Sequence, residues 1–457
     1  MKKVLPILFA LCVTSAFIFP FQVFFMPSQN TKNVMAAVGL VLLGMKLLSS
    51  DGRFYADKGL LSVLGMACAV SFISLVAIVY NNTTDTSYVT YISTALIWLL
   101  GGYAVVECIR WAHGYASADL VIQYLFGVSV MQCIFALIID NNQAFENFVI
   151  RWFYNGVDFF SRGGRLYGIG AGLDVAGVRF SAILVATAHY CLELGHKGEG
   201  RRLAITLLMF CFVVVVGNMI SRTTTVGAIL AIAYWCVNIF RYGRHGGGGG
   251  VILRKLVLVL LLVVPVFTIL YNTNRQMHDN LRFGFEGFFS MVEQGHWETN
   301  SNNELEKMVK WPDNLKTWII GDGYMLDVSK QNPYWLKQQD DKEEVFYMGT
   351  DIGYCRFIFY FGIVGLLINM LYFVTMAIVC SKRCPNQTMA FLMVLAVNFI
   401  VWAKVSTDVF AIFAVLLMVG AEENALAEAE DDEDDEEEEE DDEEELPTKG
   451  IVPQTQA

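Results

Sequence analysis

Charge is scarce in this 457-residue sequence. Asp, Glu, Lys and Arg make up 17% of it against 55% hydrophobic residues, and the mean hydropathy is +0.46. So little polar material cannot cover an ordinary soluble globule, so a water-soluble fold is excluded. Histidine is equally thin: six residues, scattered, with no HExxH pair, which removes the commonest zinc chemistry. A lone histidine such as His189 in an apolar run reads as a packed, hydrogen-bonded residue. Ten cysteines are present, yet none falls in 140–174 or 272–351, the two long polar segments, so a disulfide framework is not expected there. No CxxC pair or Cys/His spacing marks a metal site, and no metal or cofactor is expected. The glycine run 246–250 lacks the Lys-Ser/Thr of a phosphate-binding P-loop and reads as a flexible connector.

What the sequence has in abundance is apolar runs. About 20 residues are needed to cross about 30 Å of hydrocarbon. Runs that fit lie near 4–26, 33–50, 59–80, 88–108, 119–139, 175–194, 203–220, 226–240, 251–271, 352–380, 389–405 and 407–420. The expected fold is therefore all-α, a polytopic membrane domain over 1–421 with about twelve transmembrane helices. The first run has no small-residue cleavage site behind it and is read as an uncleaved helix. Lys and Arg in short loops mark the cytoplasmic side. With Lys2 and Lys3 inside, every second connection is basic: Arg53 and Lys58, Arg110, Lys197 with Arg201 and Arg202, Arg241 to Lys255, then Lys382 and Arg383. Both termini are then cytoplasmic, and the outer face receives one long extracytoplasmic loop, about 272–351, besides the 140–174 loop.

The formal net charge of −13 divides unevenly. Residues 422–445 hold 19 of the 45 acidic side chains, leaving 26 against the 31 Lys and Arg that precede Lys449, a balance of +5. The region 422–457 reads as an acidic, disordered cytoplasmic tail, because it repels itself and has no apolar face. A solubilising appendage is the plain reading of it, contact with a basic partner the other. No nucleic-acid partner is expected.

Arginine carries what chemistry remains. The run SRGGRLYGIGAGLDVAGVRF places Arg162, Arg165 and Arg179 at or near the outer surface. NMISRTTTVG puts Arg222 in a very short outer turn, and TNRQMHDNLRFGFEG spaces Arg275 and Arg282 seven apart, on one face if helical. A planar guanidinium matches two phosphate oxygens and stays charged at any relevant pH. Three clusters on one side of a bilayer therefore fit a lipid-linked diphosphate. Each arginine singly could instead reach a lipid headgroup, or pair with Asp174 or Glu286.

The segment GDGYMLDVSKQNPYWLKQQDDKEEVFYMGTDIGYCRFIFYFGIVG resembles the end of the long outer loop in the O-antigen polymerase and ligase superfamily. The likeness rests on the G-x-G turn Gly321-Asp322-Gly323, the Gly362-Ile363-Val364-Gly365 step, and the SRTTTVG turn. It covers most of the chain in layout and about 60 positions in residues. Ligases place a histidine about eleven residues before the Gly-Ile step, where this chain has Asp351, so the resemblance implies a polymerase; His296 is the nearest substitute. It implies a bacterial inner-membrane glycosyltransferase that joins polyprenyl-diphosphate-linked oligosaccharide repeat units, acting without metal. Donor and acceptor are both lipid-linked, and a chain-length regulator or a flippase is the implied partner. Alternatives are a ligase passing glycan to a lipid or protein, and a twelve-helix lipid or solute transporter; carriers usually show repeats and broken helices, and no internal repeat is visible.

In that reaction a carboxylate accepts the acceptor proton and guanidinium groups take the charge of the leaving diphosphate. Asp351 is the first choice for the carboxylate and Asp322 the second, with Arg356 orienting Asp351. Asp351 is also read as an N-cap. The diphosphate set is Arg162, Arg165, Arg179, Arg222, Arg275 and Arg282. Trp297, Trp311, Trp318, Tyr324, Tyr334, Trp335 and Tyr347 stud the long loop, as sugar-stacking surfaces or as a small loop core.

Overall fold

A computed structural model of the chain describes residues 4–49, 57–154, 165–246, 249–327 and 346–421. These residues are almost entirely helical. α1 is Val4–Ile18, α2 Thr31–Ser49, α3 Lys58–Asn81, α4 Tyr91–His113, α5 Ala118–Asn141 and α6 Gln143–Trp152. α7 is Leu173–His196, α8 Gly200–Ile220, α9 Thr224–Gly246 and α10 Gly249–Thr273. The long loop folds into α11 Arg275–Gly284, α12 Glu286–Gln294, α13 Asn300–Lys307 and α14 Leu315–Ile320, before α15 Gly353–Arg383, α16 Thr388–Val401 and α17 Phe410–Leu416. Among the described residues nine helices are long and apolar enough to cross a membrane, not twelve. The other three apolar runs are helical but short: α1 has 15 residues, α16 has 14 and α17 has seven. At about 1.5 Å per residue none of them reaches 30 Å alone. The chain is also not purely helical. β1 (Gln22–Val23) pairs antiparallel with β2 (Met26–Asn30) and with β3 (Phe153–Tyr154), tying the first polar turn to the segment after α6. Arg162, Tyr334, Trp335 and the acidic tail lie outside the described residues.

α7 is the central post. Nearly all of it is buried, between α5, α8, α9 and α16. Its sequence explains the close approach: Gly177, Ser181, Ala182, Ala186 and Ala188 present almost no side chain. A Cβ on Gly177 would stand 2.4 Å from Ser221 Oγ, and one on Gly227 of α9 would stand 2.3 Å from the Ser181 Cα. Two of the polar groups inside this packing are paired across helices. Trp235 Nε1 donates to the Ala188 carbonyl at 2.9 Å, and His189 Nδ1 lies 2.8 Å from Tyr234 Oη, the packed histidine expected from sequence.

The ends of the helices sort by charge. At one end Asp57 caps α3, accepting from Leu60 N at 2.7 Å, and meets Arg383 Nη2 at 2.5 Å, while Arg383 also reaches the Leu417 carbonyl. Gln387 bonds Asp119 at this same end, at 2.5 Å. The opposite end carries the start of α2, the start of α7, the 221–223 turn and the long loop.

α15 is interrupted. Phe361 and Gly362 leave helical geometry (Gly362 at φ 69°, ψ −174°), which frees the carbonyls of Phe359 and Tyr360. Those carbonyls accept from Asp322 N at 2.6 Å and Gly323 N at 3.0 Å, so the Gly321-Asp322-Gly323 turn plugs the break. The two sequence signals for the loop end are thus one joint. The 402–409 stretch joining α16 and α17 is also irregular backbone held inside the protein, with Trp402 and Val409 fully buried.

Candidate functional site

Three of the six sequence-selected arginines meet. Arg165, Arg222 and Arg282 line a polar cleft of about 760 Å³, with Phe283, Glu286 and Phe289. Arg222 reaches it because α8 ends at Ile220 and α9 begins at Thr224, leaving a turn too short to carry it elsewhere. Arg165 and Arg222 both face the Phe283 ring, at 5.0 and 4.4 Å from its centroid. Arg222 also pairs with Glu286 and lies 3.4 Å from Ser301 Oγ. Partial burial lowers its pKa from the ordinary guanidinium value, Glu286 pulling the other way. Arg282 is held bidentately by Glu293 at 3.0 and 2.9 Å, which raises its pKa further, and its guanidinium lies 5.1 Å from the Phe289 ring centroid. Arg275 and Arg282 do share a helix, α11, as their spacing predicts, but Arg275 is exposed at its first turn and away from the cleft lining.

Arg179 belongs to a different centre. It is 8% exposed, donates to the Ile18 carbonyl, and has its guanidinium 5.6 Å from the Trp98 ring centroid, where Lys32 approaches to 5.0 Å. Beside the 221–223 turn, Lys404 Nζ meets Asp174 Oδ1 at 2.7 Å, and Thr223 Oγ1 donates to that same oxygen at 2.7 Å. Of the six arginines, Arg165, Arg222 and Arg282 thus line the cleft, Arg179 and Arg275 stand apart from its lining, and Arg162 lies outside the described residues. Lys32, Lys404 and Asp408 escaped the sequence reading. The signal was present: WAKVSTDVF sets a lysine and an aspartate into an otherwise apolar stretch, where charge is expensive.

An apolar groove of about 600 Å³ runs between α8, α9 and α10 under α11 and α12, walled by Phe210, Trp235, Leu260, Phe267 and Phe285. Phe289 lines both groove and cleft, so the two meet at one side chain. α10 walls the groove with only 17% of its apolar stretch buried, and Pro265 lies inside it.

The expected carboxylates differ. Asp322 Oδ1 is engaged by Lys316 Nζ at 2.7 Å and Thr317 Oγ1 at 2.7 Å, with Tyr347 Oη donating to Oδ2 at 3.3 Å. Lys316 also meets Asn81 Oδ1 at 2.5 Å, Thr83 donates to the Gly323 carbonyl at 3.0 Å, and Met325 N donates to Asp85 at 2.7 Å. This is a clasp holding α14 and the 321–327 strip to the turn after α3. Burial, and then Asp322, push the Tyr347 hydroxyl up to about 12. Asp351 is half-buried and lies one residue before the N-cap of α15. That cap is Ile352. Arg356 is in the first turn, its guanidinium 3.5 Å from the Phe346 ring centroid. His296 is exposed and pairs with Glu298 at 3.1 Å. Among the loop aromatics Trp311 stacks on Trp318 at 5.7 Å and Tyr324 lies against Tyr347 at 5.4 Å, with Trp311 itself exposed. No group of three or more potential metal-ligating side chains occurs among the described residues.

No family model, curated protein or solved structure matches this chain.

Proposed function

We propose that the protein is an extracytoplasmic membrane glycosyltransferase that polymerises polyprenyl-diphosphate-linked oligosaccharide, in the manner of O-antigen polymerases. The observation that carries this reading is that Phe289 lines both an apolar groove and a cleft bearing three arginines. A long isoprenoid chain matches the groove and a diphosphate matches the cleft, so one molecule with an oily tail and an anionic head satisfies both. Arg165 and Arg222 face one ring and offer two forks, and charge on a leaving diphosphate is stabilised most where water is scarce. Glu286 occupies Arg222 until a better anion arrives.

The proposed orientation puts this cleft outside the cytoplasm, the basic connections and both termini inside, in a bacterial inner membrane. Nine long helices cross, α1 crosses with its flanking residues, and α16 with α17 enter as a hairpin. A transporter would leave a break such as that in α15 open to cargo; here the freed carbonyls are taken by Asp322 and Gly323. A chain-length regulator or flippase would meet the enzyme at its lipid-facing helices.

The test is reconstitution in vesicles with a polyprenyl-diphosphate oligosaccharide. The expected product is a ladder of lengthened glycans with release of polyprenyl diphosphate; one transfer to a lipid acceptor, without a ladder, would make it a ligase. Arg222→Lys keeps charge but loses the fork, and should weaken donor binding by about tenfold or more. Val263→Trp, filling the groove, should weaken it without altering the cleft. Unchanged donor binding in both variants refutes the site.

A further inference from the structure

Glu286, Glu293 and Glu298 put three carboxylates among the arginines of the cleft, and they are not held alike. Glu293 gives both oxygens to Arg282, while Glu298 gives one to Asn303 Nδ2 and the other to His296 Nε2, each at 3.1 Å. Both side chains are nearly half-exposed. Glu286 is better shielded, its side chain 27% exposed; one oxygen pairs with Arg222, and Asn300 N lies 3.4 Å from the other. It stands on the first turn of α12, and the chain after α12 folds back over that turn. Trp297 packs on Gly287, where a Cβ would stand 2.3 Å from the indole ring. Glu298 N donates to Ser290 Oγ at 2.9 Å, and Ser290 Oγ donates to the Gly287 carbonyl at 2.9 Å. The Trp297 side of this strap is 47% exposed, so an aromatic face suited to a sugar ring rests on the residue that follows Glu286.

We infer that Glu286 is the base of the transfer, taking the proton from the acceptor hydroxyl once the donor diphosphate has replaced it on Arg222. The inference rests on the transferase reading above and deepens it at the same cleft. Arg165 and Arg222 face one ring, so a diphosphate gripped by both lies beside Glu286. Like charge keeps the displaced carboxylate off the phosphates and leaves it to a neutral partner, the hydroxyl. As the hydroxyl oxygen bonds to the anomeric carbon of the donor sugar, its proton passes to the Glu286 carboxylate. The bond between that carbon and the diphosphate oxygen breaks, its electron pair leaving with the polyprenyl diphosphate, whose charge the two guanidinium groups meet. Glu286 then gives the proton to water and returns to Arg222 as the product departs. Neither Asp351 nor Asp322 lines this cleft.

Purified wild type, Glu286→Gln, Glu286→Asp, Asp351→Asn and Glu304→Gln are compared in vesicles for thermal stability, rate against pH, and binding of polyprenyl diphosphate, which carries the anion but no sugar to transfer. Glu286→Gln should bind that lipid at least as tightly as wild type, since the competing anion on Arg222 is gone, and lose about 100-fold or more in rate. If Glu286 serves merely to position Arg222, binding and rate fall together, and that result overturns the assignment. Near wild-type rate in Glu286→Gln, or a larger loss in Asp351→Asn, overturns it too. Glu304→Gln removes an exposed loop carboxylate outside the cleft lining and should match wild type; an equal loss there would show a general charge effect and refute the base role. Glu286→Asp should keep measurable rate with its acid limb displaced from that of wild type. If Glu286→Gln does not fold, an acid limb unmoved in Glu286→Asp overturns the assignment equally. A wild type that binds the lipid but forms no glycosidic bond refutes the transferase reading itself, whereas a wild type that makes the ladder beside an equally active Glu286→Gln refutes the base alone.

Discussion

Replacing Gly362 by alanine should break the joint between α14 and α15. Gly362 sits at φ 69°, ψ −174°, a region open essentially to glycine alone, where another residue is strained by about 1–3 kcal/mol. Its added Cβ would also stand 2.1 Å from the Ile319 carbonyl oxygen and 2.6 Å from Ile320 N. Those are backbone atoms at the end of α14, so relief requires moving the helix rather than a side chain, at a typical overpacking cost of about 1–3 kcal/mol. Together the cost is about 2–6 kcal/mol, concentrated where the Asp322 and Gly323 amides plug the break. Cys355 provides the assay. It lies on the segment of α15 before the break and is 1% exposed. In a chain whose other cysteines are replaced, maleimide labelling of Cys355 should be slow in wild type and at least tenfold faster in Gly362→Ala, with earlier thermal inactivation. Gly44→Ala is the control: its Cβ meets nothing within 4 Å, and helix propensity favours it by up to about 1 kcal/mol. Equal labelling and equal inactivation in wild type and Gly362→Ala would show that the break is not what holds α14 against α15.

Asp57→Asn should destabilise by about 3–5 kcal/mol, because it leaves Arg383, 4% exposed in its side chain, without its carboxylate; pairing it with Arg383→Met should recover most of the loss in thermal inactivation, and no recovery would refute the ion-pair argument. A topology reporter at Lys307 should read outside and one at Lys197 inside, and a cytoplasmic signal at Lys307 would place the arginine cleft on the wrong face for extracytoplasmic chemistry. Arg275→Ala should leave donor-lipid affinity within about twofold of wild type, since the residue is exposed away from the cleft, while Arg165→Ala should lower it by about tenfold.

Much of the architecture was legible in the order of residues. Every apolar run chosen by length contains a helix, because hydrocarbon length is a property of local sequence. The helix carrying Arg275 and Arg282 was legible from spacing, and the Arg222–Glu286 pair from charge. Local sequence could not decide how far the last helices reach. α16 and α17 read as spans by composition, yet they end short because 402–409 leaves the helix between them, anchored by the buried Trp402 and Val409. The two Gly-rich signals at 321–323 and 362–365 were visible separately. That one plugs the other depends on a backbone approach between residues about 40 apart. The site divides the same way. Sequence marked the arginines by type and by their position at helix ends and turns, which are local facts. Only the tertiary structure decided which of them share a cleft, that Arg179 and Lys32 meet the Trp98 ring, and that Phe289 lines both groove and cleft. Those relations are distances between segments distant along the chain, fixed by how small residues on α7 let its neighbours close around it.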